Sequence, residues 1–240
     1  MHATDVQLGQ PVERTPDTII ARYRANRDWR LYEKEWIYRN FPPAGRSWLD
    51  FGCGTGEIAT QLALLGATHV VAVDVTPGLL DMTRRRAQLD GVADRVEATC
   101  GDLATIEPQP VDIVLSFAVL HHVADQLASM VPLLRRWLKP GGTFICVEPV
   151  AYLPWTDWLR ERSGVQLDPL DPGERKLRRA DLRQVTSGFS SARAVHFHTL
   201  ARLNRVWPRG DRFFRRVDAL LRPLPGASLC AGTVIEICTL

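Results

Sequence analysis

Glycine, acidic and histidine residues fall at separate places in the first 150 positions of this 240-residue chain, each where one expected element hands over to the next. Leu49-Asp50-Phe51-Gly52-Cys53-Gly54-Thr55-Gly56 carries three glycines at alternate positions. Glycine lets a backbone approach a ligand closely, and GxGxG differs from the GxGxxG of pyrophosphate-binding turns, so a pyrophosphate is not the expected guest. Asp74 and Val75 close the apolar run Val70-Val71-Ala72-Val73, where an ionised carboxylate can accept hydrogen bonds from both hydroxyls of a ribose. Asp102, in Cys100-Gly101-Asp102-Leu103, is placed to accept from an exocyclic amine such as that of adenine. Farther along stand His121-His122 and Glu148. A histidine side chain titrates near neutrality and suits proton transfer there. Glu148 is the next acid-base candidate, its alternative role being to orient the turn at Pro149.

Rigid elements must hold these groups. Trp48 to Phe51, His69 to Asp74, Arg95 to Thr99, Val111 to Ser116 and Thr143 to Glu148 are short apolar runs that read as five strands. Glu57 to Leu65, Pro77 to Asp90 and Ala124 to Leu138 carry helical spacing, the last stopped by Lys139-Pro140-Gly141-Gly142. Such alternation predicts right-handed crossovers onto a parallel sheet with helices on both faces, a doubly wound α/β fold. Residues 17 to 40 read as a helix ended by Pro42-Pro43. After Glu148 the alternation breaks into a proline-bearing stretch with helical patches at Trp155 to Arg162 and Glu174 to Val185. Two further strands, Ala192 to Leu200 and Thr233 to Thr239, enclose a basic amphipathic stretch from Arg202 to Arg222 that Pro208 divides. The expected layout is one domain over 1–240: an N-terminal helical lid (1–45), a core (46–148), an insertion (149–190) and a final strand pair with a basic helix (191–240).

Composition narrows the class. With 45% apolar and 24% charged residues the chain can bury a substantial core. No run approaches the length of a membrane span, and Met1 to Arg14 lacks an apolar signal core. Cys53, Cys100, Cys146, Cys230 and Cys238 are scattered, without paired CxxC spacing, which favours free thiols and a cytoplasmic setting. The net charge of +3 conceals a split: residues 1–150 carry 15 basic and 18 acidic groups, residues 151–240 carry 15 and 9.

Taken in order, LDFGCGTGE, the acidic end of VVAVDV, GDL, VDIVLSFAVLHHV and LKPGGTFICVEP resemble the class I S-adenosylmethionine-dependent methyltransferases over about residues 46 to 148. The resemblance implies a Rossmann-like seven-stranded sheet of order 3-2-1-4-5-7-6 with the last strand antiparallel. It also implies S-adenosylmethionine as cofactor and S-adenosylhomocysteine as product. Asp50, Gly52, Cys53, Gly54 and Gly56 would surround the methionine portion, Asp74 would hold the ribose, and Asp102 and Leu103 the adenine, with Val75 also at the cofactor. Ser116 and Phe117 would lie beside the cofactor. A sulfonium carries its own leaving group, so acceptor deprotonation is the remaining chemistry, with His122, His121 and Glu148 as the groups to do it. The exit of the fourth strand, Ser116-Phe117-Ala118-Val119, lacks both the tetrapeptide associated with nucleic-acid amine methylation and the aspartate of a metal-dependent catechol enzyme; no metal is expected.

All four tyrosines and four of seven tryptophans lie in 18–41 or 150–160. Tyr23, Trp29, Tyr32, Trp36, Tyr152 and Trp155 therefore form an expected acceptor-holding group, suited to a flat ring or a cationic amine; each can equally anchor a helix to the sheet. The expectation is O- or N-methylation of a small, aromatic or heteroaromatic acceptor, as in secondary metabolism, by a monomer or homodimer, with nucleic acid not the expected partner. Three alternatives stay open: methylation of RNA or protein through the basic C-terminal third, a non-catalytic cofactor-binding partner subunit, and a protein that keeps the cofactor but redirects its chemistry, for example to intramolecular cyclisation or elimination.

Overall fold

A computed structural model describes residues 31–150, 152, 175–199, 210–224 and 226–240. Its sheet contains β1 (Ser47–Phe51), β2 (His69–Asp74), β3 (Val96–Cys100), β4 (Val111–Phe117), β5 (Leu138–Pro149), β6 (Ser191–Phe197) and β7 (Thr233–Thr239), in the order β3-β2-β1-β4-β5-β7-β6. β7 alone is reversed in the sheet, pairing β5 through Glu148↔Val234 and β6 through His196↔Val234. This is the order that the resemblance implies.

Side-chain alternation along each strand sends residues to two layers. Leu49, Val71, Val114 and Phe144 face α4 (Leu127–Arg136) and α5 (Arg179–Thr186). Trp48, Val70, Ala72, Leu115 and Ile145 face the other layer, where Ile37 of α1 (Leu31–Asn40), Leu62 of α2 (Glu57–Leu64) and Leu80 of α3 (Pro77–Leu89) pack. In α4, Leu127, Met130, Val131 and Leu134 are buried at helical spacing, whereas Arg135 and Arg136 lie beyond that stripe. A further helix, α6 (Asp211–Leu221), follows β6. Since β2 and β4 flank β1, the chain crosses over in opposite directions from it, which opens a crevice at the carboxyl ends of β1 and β4.

Several boundaries differ from the sequence expectation. Strand β5 begins at Leu138, so Lys139-Pro140-Gly141-Gly142 lies inside it rather than between elements. The β4–β5 register shifts there, from Val111↔Leu138 to Ile113↔Thr143, and such an irregularity accommodates a proline that cannot donate to the ladder. The expected helix from Glu174 starts only at Arg179, because Leu177 bridges Val150 and donates its N–H to Pro149 O at 3.1 Å. Strand β6 stops at Phe197, where His198 turns to a left-handed φ of 61°. The patch at Trp155 to Arg162, the part of the N-terminal helix before residue 31 and residues 202–209 lie outside the described residues.

Candidate active site

The glycine loop leaves β1 and is pinned across the end of β2: the Gly52 and Cys53 N–H groups both donate to Val73 O, at 2.8 and 3.0 Å. Gly52 has φ 69°, a left-handed conformation that disfavours side chains, and a Cβ there would fall 2.5 Å from Val119 Cγ2. The loop is thus packed directly against the exit of β4. Gly54, φ 53°, is the reverse case, since a Cβ there would meet nothing within 4 Å and its outer side is open. Substituting Gly52→Ala combines backbone strain with overpacking, so urea unfolding should show a loss of about 2 kcal/mol. Unchanged stability would mean that the loop does not need this contact.

Asp74 closes β2 with each oxygen engaged once, Oδ2 by the Gly54 N–H and Oδ1 by the Thr76 N–H, both at 2.9 Å. A carboxylate offers about four lone-pair directions, so each oxygen retains capacity for a further donor. Next to it Val75 is 70% exposed, an apolar side chain presented to solvent beside the open glycine loop. Across from it, Leu103 is buried, while the exposed Asp102 uses Oδ1 to accept from the Ala104 N–H at 2.8 Å.

Asp50 is buried under the loop, and its Oδ2 has no hydrogen-bond partner. Desolvation pushes its carboxyl up to about 7, against the pull of the Ala59 N–H and the Lys34 ammonium. The Ser116 hydroxyl is likewise buried and unpartnered, opposite Phe51 in the β1–β4 register. Each is a buried unsatisfied polar group, a costly arrangement unless something else satisfies it. Sequence reasoning passed over Lys34, whose Nζ donates to Glu57 Oε1 at 2.5 Å and sits 5.6 Å from the Phe117 ring centre. Glu57 was visible as the last letter of LDFGCGTGE, but Lys34 lies well before β1 in a helix without a motif. The Thr83 hydroxyl, 3.1 Å from Gly54 O, is a second support for the loop without a sequence signal.

At the exit of β4 the three acid-base candidates separate. Glu148 is fully buried; its Oε1 accepts the Val119 and Leu120 N–H groups at 2.9 and 2.7 Å, and its Oε2 lies 2.8 Å from His121 Nδ1. Glu148 therefore both holds the turn, which includes Ala118 at φ 59°, and orients His121. Of the two neutral tautomers, a carboxylate at Nδ1 selects the one with its proton on Nδ1 and its lone pair on Nε2. His122 is exposed and stacks on His121 with centroids 4.1 Å apart.

The aromatic residues do not gather as expected. Tyr23, Trp29 and Trp155 lie outside the described residues. Tyr32 donates to Arg215 O and accepts from Arg222, and its ring and that of Trp36 meet Phe197 edge-on. Both pack on the α2–α3 layer, because the two residues, four apart on α1, share the face that covers Phe197. Tyr152 packs on the opposite layer, its hydroxyl 3.1 Å from His196 Nε2 and its ring 5.2 Å from the Arg179 guanidinium. Among the described residues, no group of three or more His, Cys, Asp or Glu side chains could hold a metal ion.

A family model described as a methyltransferase domain matches residues 49–142. The ubiquinone biosynthesis O-methyltransferase of Cereibacter sphaeroides is 35% identical over 105 residues, 44% of this chain and 42% of that protein. The ribosomal protein L11 methyltransferase of Photobacterium profundum is 32% identical over 98 residues, 41% of this chain and 32% of that protein. The chain thus spans less than half the length of these curated relatives. Among solved structures, the magnesium protoporphyrin IX methyltransferase of Synechocystis PCC 6803, with bound SAH, superposes with a TM-score of 0.59 at 16% identity, covering 93% of this chain and 95% of that one. That likeness is one of fold.

Proposed function

We propose that this chain, whose residues 49–142 match the methyltransferase-domain family model, is a class I S-adenosylmethionine-dependent methyltransferase that moves a methyl group from that cofactor to an oxygen or nitrogen atom of a small aromatic or heteroaromatic acceptor. The observation that carries this reading is the Glu148–His121 pair, buried at the β4 exit whose Val119 packs on the glycine loop. The crevice fits the cofactor on its own chemistry: an unpartnered Asp50 oxygen near the end of β1, an unpartnered Ser116 hydroxyl near the end of β4, the open side of Gly54, and spare Asp74 acceptors beside exposed Val75. Asp50 would take the amino-acid ammonium, Asp74 the ribose hydroxyls, and Val75 with Leu103 the sides of the adenine. Gly52, Cys53 and Gly56 would form the wall, with Phe117 below and Asp102 accepting from the exocyclic amine.

When bound, the cofactor supplies an electrophilic methyl group on a sulfonium. This chain's residues supply the rest. Glu148 holds His121 with Nε2 free to take the acceptor's proton, and burial limits competing water. A phenolic hydroxyl, with a pKa of about 10, is within reach of a histidine base as an aliphatic hydroxyl is not, which supports an aromatic acceptor. Tyr152, just past β5, is the described aromatic best placed to meet it. Residues 1–45 and 149–190 would close over the site as a lid, and five free thiols fit a cytoplasmic enzyme. The relatives named for ubiquinone biosynthesis and for a ribosomal protein match about the same share of the chain, so that overlap favours neither acceptor class. The test is incubation with S-adenosylmethionine and a panel of phenols and aromatic amines, with ribosomal protein L11 and rRNA in parallel. The expected result is an acceptor heavier by one methyl group, with one S-adenosylhomocysteine formed per transfer. Methylation of L11 or rRNA and of no small acceptor would overturn the reading.

Asp50 gives this site a pH dependence. Its carboxyl sits near 7 in the free protein and must ionise to meet an ammonium. Binding therefore requires release of a proton below pH 7. S-adenosylhomocysteine affinity should fall roughly tenfold per pH unit below 7 and level off above it. Asp50→Asn should flatten the profile; an unchanged slope would detach Asp50 from the ammonium.

A further inference from the structure

Among the described residues, helix α6 meets the body through one side. Phe214 and Asp218 are buried, the Arg222 guanidinium lies 4.3 Å from the Phe197 ring centre and donates to His196 O, and the Arg215 guanidinium lies over Tyr32. The other side remains apolar where a solvated helix would be polar. Phe213, Leu220 and Leu224 are 61%, 74% and 52% exposed, and their spacing of seven and eleven residues aligns them along one line of the helix and its exit. Arg216 is exposed beside them. Residues 202–222 carry seven arginines against two aspartates, and one of those two, Asp218, is buried away from this face.

We infer that this face of α6 docks the protein on an anionic phospholipid surface, with Phe213, Leu220 and Leu224 entering the acyl boundary and Arg216 at the headgroup phosphates. An apolar line bordered by arginine on a surface-lying helix has the chemistry of an interfacial helix. The charge is complementary to phosphate. The area argues against a second copy of the chain, since three side chains fall well short of the ~800 Å² per partner that a stable dimer buries. This contact is peripheral; no helix among the described residues is long and apolar enough to cross a membrane. The inference does not rest on the proposed reaction, because none of the three apolar residues belongs to the cofactor crevice or the Glu148–His121 pair.

The test is flotation of the full chain with vesicles of phosphatidylcholine containing about one-third phosphatidylglycerol, against phosphatidylcholine alone. Preferential flotation with the anionic vesicles is expected, weakening as salt is raised. The Phe213→Gln/Leu220→Gln variant, with unchanged circular dichroism, should partition roughly 100-fold more weakly. Arg216→Glu should lose the preference for anionic lipid while retaining some binding. Equal flotation of the double-glutamine variant, or no flotation of the parent chain, would overturn the inference. A dimer in sedimentation velocity that the double-glutamine variant dissociates would overturn it too, by assigning the face to a second copy. Tighter binding to a single-stranded oligonucleotide than to the anionic vesicles would overturn it as well, by assigning the arginines to nucleic acid.

Discussion

Asp74→Asn should lower the affinity for S-adenosylhomocysteine about 100-fold in calorimetric titration, with the fold intact by circular dichroism. The size follows from the site. Asp74 already accepts one backbone N–H on each oxygen, from Gly54 and Thr76, and a ribose would add a hydroxyl donor to each. Hydrogen bonds to a charged group contribute about 1.5–3 kcal/mol each, and the amide keeps the volume while forfeiting the charge. One side of the asparagine must also present a donor to a donor, either to the Gly54 N–H or to the Thr76 N–H. The loop position itself is guarded by the Val73 carbonyl and by Thr83, so the loss should appear in affinity rather than in folding. Unchanged affinity would remove Asp74 from the ribose.

The second large effect separates two adjacent histidines. His121→Ala should reduce turnover by about 100-fold or more, the usual range for removal of a positioned general base, while S-adenosylhomocysteine affinity stays within a factor of about two. His122→Ala should leave turnover near that of the parent chain. The distinction rests on Glu148, which engages His121 Nδ1 and two backbone donors of the same turn, whereas the His122 side chain is exposed. Full activity in His121→Ala, or a greater loss in His122→Ala, would reverse the assignment.

Much of this geometry was legible in the residues. Asp50, Gly52, Gly54, Gly56 and Asp74 announce themselves because a glycine turn after an apolar run and a carboxylate at a strand end have few other reasons to recur in that order. The strand order was legible through the family likeness. His69–Asp74 and Thr233–Thr239 could be read to the residue, since apolar runs set between polar turns have sharp ends. The pairing of Glu148 with His121 was not legible, because it depends on the β4–β5 register bringing residues 27 apart into contact. Nor was the separation of Tyr32 and Trp36 from Tyr152. Composition clusters aromatic residues along the chain, but which layer each joins is decided by the face of α1 that covers Phe197. Strand β5 misled for a local reason: a proline and two glycines ordinarily end an element, whereas a register shift lets them sit within one.

The most direct measurement is a calorimetric titration of the parent chain with S-adenosylhomocysteine at pH 8, repeated in the presence of excess ATP or NAD. The GxGxG turn, the buried Asp50 oxygen and the spare capacity of Asp74 predict saturable one-to-one binding that neither pyrophosphate-bearing nucleotide displaces. No saturable heat with S-adenosylhomocysteine, or its displacement by ATP or NAD, would contradict the account.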